Sequence, residues 1–426
     1  MTDKITDSVK TNWRTLFSTG FFHIFGSNVF NKVIAFLSTA VLVRVLTKSE
    51  YGIYTYSWNI YSIIVLFNGL GLVSALLQLC SERGNDPEYD SVVGRYSVKT
   101  GLLFDILLGL VIVLVAIFAP LKFEGAGTIL LLLAVMPAAQ FLFDLIQSIY
   151  RAQKRNQEFS RLSMLNAFFL FVFSVAGAFL FRERGMVIGM YLSLVITTIY
   201  GYGKLGLPPA DSRQITGQDR KALLSIGTIS MFNNGISSLL YLLDVFVLGI
   251  VAKEETILAG YKVATLIPTN LIFIPQSLVT YLYPYFAEHR NDGRWCLKNY
   301  KKVLTGIGSV NAVIMLVMCL FPKLIIRLFF GSQYLDIVPI FRILAINYFI
   351  GGTFRTIAGN LLVTQRKLRF NLAVAIISGV TNAVADYFFI LRWGAIGAAY
   401  ATVLVVLIAS ILNVSYLLFT FKKAAE

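Results

Sequence analysis

Four residues in the second half of the chain carry oxygens at a spacing that could hold a small cation: Asp244, Asn382, Asp386 and Thr402. Each lies inside a long apolar run. Asn382 and Asp386 are one helical turn apart and so share a helix face. At 1.5 Å per residue, Asp244, Asp386 and Thr402 fall at one depth, roughly 8–12 Å from the expected outer helix ends. Two carboxylates, an amide oxygen and a hydroxyl at one level make a hard-oxygen set for Na⁺. The two carboxylates could instead share a proton, because like charges that close resist double ionisation. The plainer alternative is that Asp244 or Asp386 pairs with a neighbouring basic residue.

A second set is cationic. Lys32, Lys262 and Arg355 lie within apolar runs, and Arg44 closes the first run. Asn28 and Asn31 share the helical face of Lys32 by i+3 and i+4 spacing. A charge at the bilayer centre costs about 2.5–3.5 kcal/mol on insertion scales, which makes each such residue a functional suspect. Facing a common cavity, these groups would suit an anionic cargo, phosphate above all, which Arg grips with two donors and Lys meets as a point charge. Snorkelling to the interface is a simple alternative for Lys262 and Arg44, but a poor one for Lys32 near the middle of its run. Asp105 and Asp144, near inner helix ends, are expected to pair with Arg95 or Arg151.

Other chemistries have little to draw on. The three cysteines, Cys80, Cys296 and Cys319, form no CxxC, so neither a disulfide framework nor a zinc site is expected. His23 and His289 are the only histidines. No GxxxxGK[ST] loop is present to cradle a nucleotide, so any work done must draw on a gradient. No cofactor is expected; Na⁺, H⁺ and no coupling ion at all remain open.

The elements that position these residues are membrane helices. The chain of 426 residues is 57% hydrophobic and only 14% charged, with mean hydropathy +0.73. A soluble chain is about 45–50% apolar and about 25% charged. Apolar runs fall at 16–43, 52–80, 97–119, 127–150, 159–181, 184–204, 222–251, 256–285, 303–322, 336–363, 370–391 and 394–420. Each suffices for about 30 Å of hydrocarbon, giving an all-α integral membrane protein of about twelve helices. The first run is too long for a signal-peptide core and reads as a permanent span behind the polar Met1–Thr15. The net charge of +15 then speaks for topology rather than nucleic acid. With the N-terminus inside, the inner segments hold more than twice as many Lys and Arg as the outer ones, so both termini are expected in the cytoplasm.

An internal repeat is visible. Arg151-Ala-Gln-Lys-Arg resembles Val363-Thr-Gln-Arg-Lys, and Arg184-Gly-Met-Val-Ile-Gly resembles Arg392-Trp-Gly-Ala-Ile-Gly. The offsets are about 208 and 212 residues, and at the shorter one Asn382 and Asp386 correspond to Ser174 and Ala178. Two parallel six-helix lobes follow, at 1–205 and 222–426, joined by a polar cytoplasmic linker at 206–221 that contains Pro208-Pro209. A cargo route would run between them. Pro137, Pro268, Pro275 and Pro284 predict helix kinks.

Four stretches in order resemble the polysaccharide, or O-antigen, flippases of the multidrug/oligosaccharidyl-lipid/polysaccharide exporter (MOP) superfamily. They are Leu42-Val-Arg-Val-Leu-Thr-Lys-Ser-Glu-Tyr-Gly-Ile-Tyr; Asp244-Val-Phe-Val-Leu-Gly with Ala259-Gly-Tyr-Lys-Val-Ala; Phe330-Gly-Ser-Gln-Tyr; and Asn382-Ala-Val-Ala-Asp386 with Gly394-Ala-Ile-Gly-Ala-Ala-Tyr-Ala-Thr402. The resemblance implies a V-shaped pair of six-helix lobes with alternating access, in a bacterial or archaeal inner membrane. It implies a polyprenyl-diphosphate-linked oligosaccharide cargo, moved from the cytoplasmic to the outer leaflet. It also implies partners in polysaccharide polymerisation and export, and a cation site in the second lobe matching Asp244, Asn382, Asp386 and Thr402. A multidrug antiporter of the same superfamily is the nearest rival, but its cavity should be acidic or aromatic. A major-facilitator transporter should carry a GxxxDRxGRR-like run, which Ser81–Arg95 lacks. A glycan polymerase or ligase should carry a large external loop, and no such loop or catalytic pair is seen, so an enzyme is not expected.

Overall fold

The structure, a computed structural model, describes residues 21–83, 86–208 and 215–425. These are helical almost throughout, with no strand among the described residues. That is what lipid demands, since a helix pairs its own amides where no water can. The first 20 residues, and with them Lys4, Lys10 and Arg14, lie outside the described residues, as do Pro209 and Arg213 of the expected linker.

In chain order the helices are α1 (Phe21–Val45), α2 (Lys48–Ile64), a 3₁₀ turn (Val65–Gly71), α3 (Leu72–Arg83), α4 (Pro87–Phe118), α5 (Ala126–Leu133), α6 (Met136–Ala152) and α7 (Asn156–Leu205). The second half continues with α8 (Gly217–Val251), α9 (Glu255–Leu271), α10 (Phe273–Glu288), α11 (Gly293–Leu320), α12 (Pro322–Phe329), a 3₁₀ turn (Ser332–Ile337), α13 (Val338–Ile350), a π-helical turn (Gly351–Arg355), α14 (Thr356–Thr364) and α15 (Leu368–Lys423). Among the described residues, nine helices, some joined across a kink, are long and apolar enough to cross a membrane.

Two of these are hairpins rather than rods. Helix α7 has 50 residues and α15 has 56, about 75 and 84 Å at 1.5 Å each, more than twice the hydrocarbon thickness. The first breaks at Phe181 and Arg182, the second at Gly394. A Cβ on Gly185 would lie 2.0 Å from the Gly177 carbonyl oxygen, and one on Gly397 2.0 Å from that of Phe389. The legs therefore return antiparallel with their backbones touching. Only glycine allows that approach.

The hairpins also set the register of the repeat. Arg182 and Gly394 both have φ 57° at the turn, and Lys154 (φ 57°) and Arg366 (φ 59°) are a second left-handed pair. Both pairs share the offset that separates Val363 from Arg151, not the shorter one that separates Arg392 from Arg184. The sequence match at α7 and α15 was thus out by four residues, one helical turn, because glycines recur there at helical spacing. The first-half counterparts of Asn382 and Asp386 are Leu170 and Ser174, rather than Ser174 and Ala178. At the second pair the hydrogen bonding is identical. Lys154 N–H bonds Arg151 O at 3.0 Å and Arg155 N–H bonds Tyr150 O at 2.9 Å, while Arg366 N–H bonds Val363 O and Lys367 N–H bonds Leu362 O, each at 2.9 Å. This is a Schellman turn with a basic residue in the left-handed seat.

Proline accounts for two further breaks. Pro137 stands in the first turn of α6, where α5 stops, and Pro275 in the first turn of α10, four residues past the end of α9. A proline has no N–H and its ring clashes with the carbonyl four residues back. Pro268 stays inside α9, buried. The side chain of Pro284 lies outside the described residues.

The chain forms two compact units, Met1–Leu46 with Ser57–Leu239, and Thr47–Tyr56 with Leu240–Glu426. They part inside α8, not at the polar stretch 206–221 expected as the linker. The reason is packing. In the first unit Gly71 meets the Gly227 carbonyl and Phe67 packs edge-on to Phe232. In the second, Gly249 packs on the ring of Tyr56 and on Leu258. The start of α2 is held in the second unit by the Lys48–Asp336 ion pair at 2.5 Å and by Ser49 Oγ donating to Glu255 at 2.6 Å.

Gly397→Val should drive a side chain into the Phe389 backbone and lower the apparent unfolding temperature of the purified protein, at a cost of about 1–3 kcal/mol or more. Gly306→Ala, which has nothing within 4 Å of its Cβ, should leave it unchanged.

Candidate functional site

The acidic set converges within the second unit. Asp244 comes from α8, Asn382 and Asp386 from the first leg of α15, and Thr402 from its second leg. The hairpin turn at Gly394 is what lets one helix contribute from both legs. Asn382 Nδ2 lies 3.1 Å from Asp244 Oδ1 and donates to it. Thr402 Oγ1 lies 2.9 Å from Asp244 Oδ2 and 2.9 Å from the Ala398 carbonyl, and its single proton serves one of them. The Tyr261 hydroxyl of α9, on a fully buried ring, donates to Asp244 Oδ2 at 3.0 Å and lies 3.3 Å from Thr402 Oγ1.

Asp386 is 0% exposed, and no donor reaches either of its oxygens. It faces the Asp244 carboxyl, another acceptor. No Lys or Arg pairs with either acid among the described residues, so the simple ion pair weighed above is not what the structure holds. A buried carboxyl and a half-buried one, backed only by neutral donors, need a positive charge to complete them. A proton on Asp386 aimed at Asp244 fits the set as it stands. Na⁺ fits the oxygens of Asp244, Asp386, Thr402 and Tyr261, but Asn382 would have to turn its amide oxygen inward first.

The basic residues are less concentrated. On α1, Asn28 and Lys32 are exposed, whereas Asn31 turns away and donates to Ser163 Oγ of α7 at 2.6 Å. The expected Asn28–Asn31–Lys32 face is therefore split. Arg44 is exposed in the last turn of α1. In the second unit, Lys262 follows Tyr261 on α9 and is exposed, and Arg355 is half-buried at the end of the π-helical turn. Neither has a hydrogen bond or ion pair to its side chain among the described residues. The turn before Arg355 is pinned by fully buried Asn311, which donates to Thr353 Oγ1 at 3.1 Å and accepts from the Tyr348 hydroxyl at 2.7 Å.

Asp105 and Asp144 do not pair with Arg95 or Arg151. Asp105 accepts from the Gly69 backbone N–H at 2.7 Å, and Asp144 from Gln140 Nε2 at 2.9 Å. A broken helix competes for the first and a same-helix neighbour for the second. Sequence reasoning missed Tyr261, although the only signal it offers is a tyrosine beside an in-span lysine. It missed Asn311 as well, a buried amide in the largely apolar stretch after Lys302.

Comparison with known proteins agrees with this architecture. The profile of a family described as polysaccharide biosynthesis protein matches residues 41–339. A probable low-salt glycan biosynthesis flippase, Agl15 of Haloferax volcanii, is 21% identical over 92% of this chain and 82% of its own. Among solved structures, the inward-facing form of a multidrug resistance MATE family transporter of the MOP superfamily superposes with TM-score 0.71 at 15% identity, covering 92% of this chain and 95% of that one. The lipid II flippase MurJ, inward closed, gives TM-score 0.69 at 16% identity over 94% and 89%. At such identities these two structures speak for the fold. The profile covers most of the chain, and so the protein belongs to the polysaccharide biosynthesis protein family, built on the helical fold of MOP-superfamily membrane transporters.

Proposed function

We propose that this protein flips a polyprenyl-diphosphate-linked oligosaccharide, the repeat unit of a surface polysaccharide, from the cytoplasmic to the outer leaflet by alternating access. It is a transporter, not an enzyme, and the family places it in glycan assembly. The observation that carries the cargo class is Arg355, a half-buried guanidinium in a membrane-length helix with no partner among the described residues. Such a group is costly unless an anion meets it. A diphosphate supplies that anion and matches the two-donor geometry of Arg. Lys262, Lys32 and Arg44 would add charge along the path. A cationic drug, the cargo of an antiporter, would be repelled by the same residues. The relative named as a probable glycan biosynthesis flippase supports the same reading.

The Asp244–Asn382–Asp386–Thr402–Tyr261 cluster would bind the coupling cation, H⁺ or Na⁺. Its occupancy changes the charge inside the second unit by one, which gives a gradient something to act on. The order of binding and release is then set by whichever conformation stabilises the occupied cluster.

Depletion from the native cell should trap the lipid-linked glycan on the inner leaflet, read by leaflet-selective enzymatic labelling. Normal surface polysaccharide on depletion would defeat the proposal. Arg355→Ala should cost about 1.5–3 kcal/mol of cargo affinity, some 10- to 100-fold, at normal membrane abundance, and Arg355→Lys should recover only part of it. Asp386→Asn should make flipping in reconstituted vesicles insensitive to imposed pH or Na⁺ gradients. Tyr261→Phe should keep that sensitivity with weaker ion binding, since it removes one of several donors to Asp244.

A further inference from the structure

The first unit holds a second buried acid that the proposed mechanism does not use. Asp105, on α4, is 1% exposed. Its Oδ1 accepts from the Gly69 N–H at 2.7 Å, while its Oδ2 has no partner. Gly69 lies in the break between α2 and α3, where Asn68, Gly69 and Leu70 leave helical geometry. Gly69, Leu70 and Gly71 all take left-handed φ, at 57°, 51° and 68°. For Leu70 that conformation costs about 1–2 kcal/mol, so the surroundings must impose it. They are closely packed: a Cβ on Gly69 or Gly101 would lie 2.3 or 2.1 Å from the Phe141 ring, and one on Gly71 2.1 Å from the Gly227 carbonyl oxygen. Asn68 Oδ1 is a second buried acceptor without a donor.

Among the described residues, the groups facing this place carry no compensating charge. Tyr61 of α2 has Asp105, Asp144 of α6 and Tyr191 of α7 within electrostatic range. Asp144 is served by Gln140, and the Tyr191 hydroxyl donates to the Leu132 carbonyl at 2.6 Å. Among the described residues no Lys or Arg pairs with Asp105, and the Gly69 N–H is its one hydrogen-bond donor. A single amide is too little for a buried carboxylate. A proton on Oδ2 removes the charge and turns an orphan acceptor into a donor. Interrupted membrane helices are also where transporters hold small ions against backbone groups.

We propose that Asp105 and the broken turn Asn68–Gly71 form a proton-binding site in the first unit, separate from the acid cluster of the second and occupied in this conformation. Losing the proton leaves a carboxylate held by one N–H, and the unwound turn can reorient its amides to supply more. Proton release at Asp105 and rearrangement of the break are thus one linked event.

Infrared spectroscopy of the full-length protein in lipid tests this in an Asp386→Asn background, which removes the buried acid of the second unit. The carbonyl stretch of a protonated carboxylic acid should be present at neutral pH. It should be lost in Asp105→Asn, move in Asp105→Glu and stay in Asp144→Asn. Hydrogen exchange at residues 66–72 should rise with pH in the parent and not in Asp105→Asn. A band untouched by both Asp105 variants overturns the proposal. So does protection of the turn by Na⁺ at fixed pH with no response to pH. Neither readout involves the glycan, so the result stands whatever becomes of the proposed cargo.

Discussion

Within hydrocarbon no water waits to pair with a freed amide, so each interruption of a helix must bring its own partner. The breaks in this protein obey that rule in different ways. At the α2–α3 break the Asp105 carboxyl takes the Gly69 N–H. The π-helical turn is braced through side chains instead, with Asn311 donating to the Thr353 hydroxyl. At the ends of α6 and α14 the chain closes its own carbonyls with Schellman bonds. The hairpins at Arg182 and Gly394 solve the problem by brevity, turning within a residue or two. Polar side chains are therefore spent where the backbone is open, and the places where the backbone is open are the places where chemistry collects.

The two kinds of charge differ in how they are held. Asp244 is held by the Tyr261 and Thr402 hydroxyls and the Asn382 amide, from α9 and both legs of α15, beside the buried Asp386, an arrangement with one charge lacking. Arg355 and Lys262 have no such partners among the described residues. A small ion needs a preformed cage, because its binding is short-ranged and geometric. A large amphiphile needs point anchors that long side chains can swing toward. The contrast in packing matches the contrast in ligand size.

Much of this was legible beforehand. Hydropathy marked the membrane runs, and counting 1.5 Å per residue placed Asp244, Asp386 and Thr402 at one depth. What depth cannot supply is azimuth. Asn31 and Lys32 are consecutive, about 100° apart around the helix, so Asn31 meets Ser163 while Lys32 is exposed. Asp105 was given an arginine partner on proximity in sequence, whereas a distant broken turn claimed it. The repeat was found but set one turn out at α7 and α15. Glycines at spacings near four align almost as well against either register, and the matching left-handed turns at Arg182 and Gly394 resolve it. The unit boundary escaped because polarity marks a linker, while packing marks a unit, and α8 runs unbroken through both.

The left-handed seats at Lys154 and Arg366 bear on what those residues are for. Glycine would take the conformation freely, and a basic side chain there strains the backbone by about 1–2 kcal/mol. Its charge sits at the negative end of a helix macrodipole, which returns about 0.3–1 kcal/mol. The two nearly cancel, so folding has little reason to prefer lysine or arginine over glycine at either place. What a positive charge beside a helix end does bias, in general, is the side of the membrane on which that end comes to rest. The same local geometry in both halves therefore separates two properties that usually travel together: the stability of a helix end and the direction in which the helix was threaded.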